Sequence, residues 1–236
     1  MKNPSTCKNC GASNPSFQLI CSNCNSFMRE RIFNIDLWQI IGLILENPQE
    51  AFRRIVNAEH KNFIFLIISI VSGKLLIDTM FIALTISKED IFFSGLLIKY
   101  LIIFAALLFL LLVFAALLKI INKYFQYETR IKDNFALLAY SLIPHVFGLV
   151  IIFVIEIIVF GGDLFSNNPS PFSLKEFLAY ALLSFEILLI GWSIFISIAS
   201  LFFQTRNKIY SLIVGVVFNS FLYGCLILGA KILFNY

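Results

Sequence analysis

Four cysteines near the N-terminus have the spacing of a structural metal site: Cys7, Cys10, Cys21 and Cys24. They form two C-x-x-C pairs, and the two-residue gap lets both thiolates of a pair bind one tetrahedral ion. The loop of about ten residues between the pairs can bring the second pair to the same ion. Because four thiolates leave no position open for water, the pattern predicts a structural Zn²⁺ in a small zinc ribbon.

Two disulfides are the alternative for these cysteines, and an oxidising compartment would favour them. The orientation derived below places the segment in the cytosol, where thiols stay reduced, and so favours zinc. Gly11 and Asn25 follow the two pairs and tolerate the left-handed backbone that such turns need. Only Lys2 and Lys8 lie nearby, which is too little charge for a nucleic-acid partner. Cys225 stands alone in the last apolar segment, where we expect a small buried hydrophobic residue.

The ionisable residues inside apolar segments include Lys74, Asp78 and Glu186. Lys74 and Asp78 are one helical turn apart and can pair on one face. With a rise of about 1.5 Å per residue, Lys74 and Glu186 fall at similar depth and could meet. Ionisable groups in lipid suggest an ion or proton pathway. The alternative is a neutralised pair that fixes helix register, and the lack of a further acidic chain across the membrane favours it.

The third apolar segment contains a proline followed by a histidine. Pro144 removes a backbone donor and should kink the helix, with Ser141 as a local partner for a freed carbonyl. His145 has no matching ligands nearby, so we expect a hydrogen-bonded structural residue and not a metal ligand. Glu156 lies near the outer end of this segment, where its carboxyl could reach the interface.

The composition is that of a membrane protein. Hydrophobic residues make up 59 % of the 236 residues and charged residues only 14 %, against a usual quarter or so for charged residues. A helix needs about 20 apolar residues to cross the bilayer, and five segments qualify: 62–86, 97–119, 135–160, 177–202 and 209–233. The sequence therefore predicts an all-α polytopic membrane protein with five transmembrane helices.

The basic residues set the orientation. Five spans place thirteen of the eighteen basic residues on one side: Lys2, Lys8, Arg29, Arg31, Arg53, Arg54, Lys61, Lys119, Lys123, Arg130, Lys132, Arg206 and Lys208. The opposite side has only Lys88, Lys99, Lys175 and Lys231. This bias predicts a cytoplasmic N-terminus and an outer C-terminus. Because the first thirty residues contain no apolar stretch of a signal peptide, we expect the first span to direct insertion.

Two short helices are predicted between the ribbon and the first span. Asp36 can cap the first, which carries Trp38 as an interfacial anchor, while Asn47 and Glu50 can form a capping box for the second. The second helix would have an apolar face, with Arg53, Arg54 and Lys61 serving the other. It could lie in the cytoplasmic interface or pack on the protein, and both remain open. The predicted domains are a ribbon (1–28), interfacial helices (29–61) and a transmembrane domain (62–236).

Three features of the chain resemble the Yip (Ypt-interacting protein) membrane domain family in its prokaryotic form. The first is the tryptophan-bearing helix followed by ENPQEAFRRI just before the first span. The second is the segment YETRIKDNFALLAYSLIPHVFG, in which an aromatic-serine-x-x-proline motif follows a short polar stretch. The third is the layout of five spans with a cytoplasmic N-terminus. The resemblance covers roughly residues 37–234, and a ribbon fused to this domain is a familiar arrangement.

The resemblance implies a non-enzymatic integral membrane protein. Eukaryotic relatives are linked to Rab-type GTPases and to the organisation of early secretory membranes, whereas prokaryotic relatives have no settled activity. The family offers no catalytic residues to transfer, and the sequence shows no GTPase-binding surface. The prokaryotic form of the match suggests the plasma membrane of a prokaryote.

The leading functional hypothesis is a membrane adaptor or organiser, in which the ribbon and interfacial helices form a cytosolic docking surface and the spans anchor it. The alternative is a small transporter or channel component that uses Lys74, Asp78 and Glu186. An enzyme is disfavoured, because the motifs H-E-x-x-H, G-x-S-x-G and the P-loop are absent. The expected partners are the lipid bilayer and proteins on the cytoplasmic side, and homo-oligomerisation remains open.

Overall fold

The computed structural model describes residues 2–87 and 95–234, so Lys88, which the orientation argument uses, lies outside the described residues. The N-terminal segment contains two short strands, β1 (Pro4–Thr6) and β2 (Ser13–Pro15). They pair antiparallel, with Pro4 opposite Pro15 and Thr6 opposite Ser13. A two-stranded sheet this short cannot be stable alone, so other interactions must hold the segment together.

The rest of the described chain is mainly helical. The helices are α1 (Leu37–Glu46), α2 (Pro48–Asn57), α3 (Ile64–Ser87), α4 (Leu96–Tyr124), α5 (Ile131–Ser141), α6 (Ile143–Phe147), α7 (Phe153–Phe160), α8 (Pro171–Leu174), α9 (Glu176–Thr205) and α10 (Lys208–Phe234). A π-helical turn, Gly148–Ile152, joins α6 to α7, and a 3₁₀-helix, Gly161–Phe165, follows α7.

Among the described residues, five helical segments are long and apolar enough to span a membrane. They are Ile64–Ile86, Leu96–Tyr124, Ile131–Phe165, Glu176–Thr205 and Lys208–Phe234, here called spans 1 to 5. Large apolar side chains such as Leu97, Phe109 and Ile158 point outward and are at least 70 % exposed, as expected for helices surrounded by lipid. The predicted fold class of a mostly helical protein with five spans is confirmed.

The chain divides into two compact units. The first contains the ribbon, α1, α2, α5 and one end of spans 1, 2, 4 and 5: Met1–Phe65, Leu111–Ser141 and Ile196–Val216. Its buried residues are partly polar, and its core includes Phe52, Tyr140 and Leu118. The Tyr140 hydroxyl donates to the Asn62 carbonyl at 2.7 Å, which ties α5 to the segment that leads into α3.

The second unit contains the remaining parts of all five spans: Leu66–Leu110, Leu142–Phe195 and Val217–Tyr236. One of its apolar clusters is formed by Phe160, Leu164, Ala179 and Leu182. Its other buried positions include several polar residues at membrane depth, Lys74 and His145 among them. Such groups must find partners inside the protein, because lipid offers none.

Span 3 is interrupted near its proline, as predicted. The α-helix stops at Ser141 and restarts at Ile143, with Pro144 in the first turn of α6, because proline has no N–H to donate to the preceding turn. The Ser141 hydroxyl donates to the Leu138 carbonyl at 2.7 Å. The π-helical turn that follows was not predicted, and turns of this kind are frequent at functional sites.

The helices before span 1 are capped largely as predicted. Asp36 accepts a hydrogen bond from the Gln39 N–H at 3.1 Å, and Asn47 accepts one from the Glu50 N–H at 3.3 Å. The reciprocal half of the capping box is not formed, because the Glu50 carboxylate binds Arg53 and Arg54 instead. An ion pair competes well with a neutral donor for that carboxylate.

Helix α2 is packed on the protein, which decides between the two alternatives left open by the sequence. Its apolar residues Ala51, Phe52, Ile55 and Val56 are buried against α1 and α5. Helix α1 keeps Trp38 81 % exposed, so Trp38 remains the candidate interfacial anchor.

Candidate functional site: a four-cysteine cluster and a buried intramembrane charge cluster

The four N-terminal cysteines converge on one point, with all their sulfur atoms within 4.8 Å of one another. The Sγ atoms of Cys7 and Cys24 are 3.7 Å apart, and those of Cys10 and Cys21 are 3.6 Å apart. Around a Zn²⁺ ion with Zn–S bonds of about 2.3 Å, neighbouring sulfurs are about 3.8 Å apart. The set can therefore hold one tetrahedral ion. A disulfide would need about 2.05 Å, so neither pair is bonded.

The turns after the two cysteine pairs follow the expected backbone. Gly11 and Asn25 have φ angles of +74° and +57°. The Gly11 N–H donates to the Cys7 carbonyl at 3.0 Å, and the Asn25 N–H donates to the Cys21 carbonyl at 3.1 Å. Each turn folds the chain back so that both thiolates of its pair face the same point.

Polar groups donate to two of the sulfurs, those of Cys21 and Cys24. The Asn14 side-chain amide and the Asn23 backbone N–H lie 3.5 Å and 3.4 Å from the Cys21 sulfur. The Ser26 hydroxyl lies 3.0 Å from the Cys24 sulfur, and its hydrogen bond lowers the pKa of Cys24 to about 6. Four soft sulfur ligands in a tetrahedral set suit Zn²⁺.

The ribbon is attached to the loop between spans 2 and 3, which the sequence did not indicate. The Lys2 N–H donates to the Gln126 carbonyl at 2.8 Å. The Asn3 side chain donates to the Glu128 carbonyl at 3.2 Å and accepts from the Glu128 N–H at 3.0 Å. Nothing local in the sequence signals these contacts, because the partners are far apart in the chain.

A groove of about 440 Å³ lies between the ribbon, the end of α2 and the start of span 3. Its lining includes three cations, Arg29, Arg130 and Lys132, and one acid, Glu59. The Arg29 guanidinium donates to the carbonyls of Phe17 at 3.0 Å and Asn57 at 3.1 Å and so fixes the ribbon to α2. Arg130 is itself paired with the buried Asp133 at 2.6 Å. The groove is therefore concave, with more cationic than acidic side chains in its lining.

Lys61 does not lie on the outer face of α2 as expected. Its ammonium is 3.1 Å from the Asp133 carboxylate and donates to the carbonyls of Ile55, Val56 and Ala58. The last carbonyls of a helix lack intrahelical donors, and the Lys61 ammonium supplies them. It also pairs electrostatically with the buried Asp133, whose other carboxylate oxygen accepts from Arg130 at 2.6 Å. Burial lowers the pKa of Lys61 to about 8.

The predicted contacts of Lys74 are both formed. Its ammonium lies 2.5 Å from Asp78 Oδ1 in the same helix and 2.9 Å from Glu186 Oε1 in span 4. The Lys74 side chain is 2 % exposed, whereas those of Asp78 and Glu186 keep 24 % and 17 %. One cation is thus shared by two carboxylates inside the membrane.

Gly148 provides the space that the Lys74 side chain occupies. A Cβ atom at this position would lie 2.8 Å from Lys74 Cε and 3.2 Å from Leu189 Cδ1. Gly148 is also the first residue of the π-helical turn in span 3. Gly148 therefore links the interruption of span 3 to the position of the Lys74 side chain. The sequence analysis did not identify Gly148.

Span 3 adds two further ionisable residues. His145 is 2 % exposed and its Nε2 lies 3.2 Å from the Tyr223 hydroxyl of span 5, which fits the predicted hydrogen-bonded residue. The expectation that Glu156 reaches the interface is wrong, because Glu156 is only 7 % exposed. It interacts electrostatically with Lys74, Glu186 and Asp78, so its side chain belongs to the intramembrane cluster.

Cys225 is exposed on span 5, contrary to the expectation of a buried residue. On a membrane-spanning helix an outward position faces lipid. A small apolar thiol is tolerated there as well as in a protein core.

A family model described as Yip1 domain matches residues 41–236, which is most of the chain after the ribbon. No curated protein matches the chain significantly, and no solved structure does so.

Proposed function

This chain belongs to the Yip1 domain family, and from that premise we propose that it is a non-catalytic integral membrane adaptor whose cytosolic ribbon docks a protein partner. The single observation that carries the proposal is the basic groove between the ribbon, α2 and the start of span 3. A concave surface lined by Arg29, Arg130 and Lys132 complements an acidic segment of a partner.

Zinc has a structural part in this proposal. Bound to Cys7, Cys10, Cys21 and Cys24, the ion would supply the folding energy that a two-stranded sheet of this size lacks. The chain's own residues then shape the groove, since Arg29 holds the ribbon to α2 and the Arg130 guanidinium lies 4.5 Å from the Phe17 ring centre. Through these two contacts, the ribbon positions two of the side chains that line the groove.

The proposed orientation puts the ribbon and the groove in the cytoplasm, because the basic residues concentrate on that side. Residues 1–28 act as the ribbon domain, 29–61 as the interfacial helices and 62–236 as the transmembrane domain. The proposed location is the plasma membrane of a prokaryote. The proposed partners are lipid and a cytosolic protein, and the chain could also self-associate through its spans.

Charge reversal in the groove tests the docking role. We expect Lys132→Glu to remove specific proteins from the set crosslinked to the full-length chain in its native membrane. Lys123→Glu is the matched control, because Lys123 is also exposed and basic but does not line the groove. Replacing Cys24 with serine should remove the same proteins, since it dismantles the ribbon. Identical crosslinked sets from wild type and from both Lys132→Glu and Cys24→Ser would contradict docking through this face.

A small transporter or channel component is the second candidate, and the buried ion pairs of Lys74 with Asp78 and Glu186 favour it. In reconstituted vesicles this function predicts an ion flux that Glu186→Gln alters. Unchanged flux in a folded variant would remove the reason for this candidate and leave the docking role untouched.

A further inference from the structure

The second unit gathers ionisable and polar residues from four different spans at membrane depth. Lys74 and Asp78 come from span 1, Glu156 from span 3 and Glu186 from span 4, and His145 and Tyr223 form a hydrogen-bonded pair beside them. Lys74 and Asp78 also interact electrostatically with His145. Groups of this kind are costly in lipid and usually mark a functional path or site.

The cluster has more carboxyl groups than it has cations to balance them. In the described part of the chain, Lys74 is the one ammonium paired with these carboxyl groups, and its close contacts go to Asp78 and Glu186. Among the residues that the structure describes, Glu156 makes no ion pair, and its Oε2 is buried without a hydrogen-bond partner. An ionised carboxylate in such a place is so unfavourable that the group takes up a proton instead.

We propose that Glu156 is a proton-binding carboxyl inside the membrane, and that it forms one proton-exchanging site with the Lys74, Asp78 and Glu186 ion pairs. Asp78 and Glu186 retain 24 % and 17 % of their side-chain surface, so they are the more open side of the site. Glu156, at 7 % exposure, is the enclosed end. This site is independent of the docking groove.

The surroundings of Lys74 show that the site is built into the fold. The lysine stem fills the space beside Gly148, where any Cβ would collide with it. The π-helical turn that begins at Gly148 lies between His145 and Glu156 in span 3. A lysine placed only to fix helix register would need one carboxylate partner, whereas two are in contact and a third is nearby.

The proposal is tested with an apolar carbodiimide, which modifies neutral carboxyl groups in apolar surroundings, on the full-length chain in lipid vesicles. Peptide mass spectrometry should find Glu156 modified at neutral pH, with the modification falling as the pH is raised. Glu176 is exposed at the start of α9 and is the internal control for a carboxyl group outside the buried cluster.

Two variants separate the chemistry of the site from access of the reagent. Lys74→Met removes the shared ammonium, so Glu186 should become modified in addition to Glu156. Modification of Glu186 in this variant, without modification of Glu156 in either chain, would show that the reagent arrives and would overturn the proposal.

An infrared measurement needs no reagent. The spectrum of the wild type at neutral pH should contain a neutral carboxylic acid band that is lost in Glu156→Gln and kept in Glu176→Gln. Equal bands in wild type and Glu156→Gln would overturn the proposal. In the carbodiimide experiment, Na⁺ at fixed pH could protect Glu156 while choline does not. That result would also overturn the proposal, in favour of a metal-cation site. The outcome does not depend on whether the protein carries a flux.

Discussion

Lys61 and Lys74 are both buried, yet their ammonium groups are satisfied in different ways. Lys61 precedes span 1, donates to the carbonyls that end α2, and forms an ion pair with Asp133. Lys74 lies within span 1 and contacts two carboxylates, Asp78 and Glu186. The Lys61 contacts stabilise the end of a helix. The Lys74 contacts leave an excess of carboxyl groups, and only this arrangement suggests a site that binds a proton.

The pH dependence of stability tests the role of Lys61. Burial lowers its pKa to about 8 from an ordinary 10.5, so the unfolded chain binds more protons than the folded chain between these values. The free energy of unfolding must then rise with pH in this window. The free energy of unfolding of the wild type should therefore increase relative to that of Lys61→Met. We expect this increase to be roughly 1 kcal/mol per pH unit above about pH 8.

Thermal unfolding in detergent over this pH range measures that difference. Lys123→Met is the control, because it removes an exposed lysine that is not among the charges acting on Lys61. Its difference from wild type should stay flat. A wild-type advantage that shrinks with rising pH would mean that Asp133 holds Lys61 charged in the folded state, contrary to the prediction.

At the scale of elements, α9 and α10 approach closely within the first unit. A Cβ on Gly215 would lie 2.6 Å from Ile198 Cγ1 and 3.3 Å from both the Cα and the backbone nitrogen of Ile198. Small residues allow this kind of backbone approach between membrane helices. The 2.6 Å approach is to a side-chain atom, but the backbone contacts at 3.3 Å are also tight, so a rotamer change of Ile198 alone does not relieve all of the crowding.

Gly215→Ala tests this contact. We expect a loss of about 1–3 kcal/mol in the free energy of unfolding, because the two helices must separate. Gly224→Ala, on the same helix with nothing within 4 Å, should be neutral or stabilising by up to about 1 kcal/mol, since alanine favours the helix. Chemical unfolding in mixed micelles compares the two variants. Equal stabilities would contradict the close packing of Gly215 on Ile198.

At the scale of the molecule, the ribbon is part of the first unit and does not hang free. Its first residues bind the loop that carries Gln126 and Glu128, and Asn3 also donates to the Gln204 carbonyl at 3.3 Å. Binding of metal to the cysteines is therefore coupled to the loop between spans 2 and 3. Loss of the metal should destabilise this loop as well as the ribbon.

Metal removal tests this coupling. Zinc binding to a small module is worth about 10–16 kcal/mol, so a chelator should unfold the ribbon and expose Lys8 and Arg29 to trypsin. Hydrogen exchange should also increase in the loop around Gln126. Native mass spectrometry should find one zinc ion per chain in wild type and Cys225→Ser, and none in Cys24→Ser. A ribbon that stays protease-resistant without any metal would contradict a structural zinc site.

The charge bias predicts the orientation of the whole chain. An epitope at the N-terminus should be reached by antibody only after the membrane is permeabilised. The same epitope inserted after Asn167, between spans 3 and 4, should be reached in intact cells. Labelling of both epitopes from the same side would contradict the proposed topology.

The sequence by itself determined the features that depend on local properties. Hydropathy and length gave five spans, cysteine spacing gave a four-thiolate cluster, and the proline gave the interruption of span 3. Helical spacing and depth along the spans also indicated that Lys74 could pair with Asp78 and meet Glu186, because position along a span determines depth in the bilayer.

Only the tertiary structure decided which distant segments are in contact and which side chains are buried inside the protein. The ion pair of Lys61 with Asp133, the burial of Glu156 and the hydrogen bonds between Asn3 and Glu128, 125 residues away, have no signal in local spacing. These contacts depend on the rotation of each helix about its axis and on the path of its loops. Rotation is set by packing against neighbours and not by the uniformly apolar sequence of a membrane span.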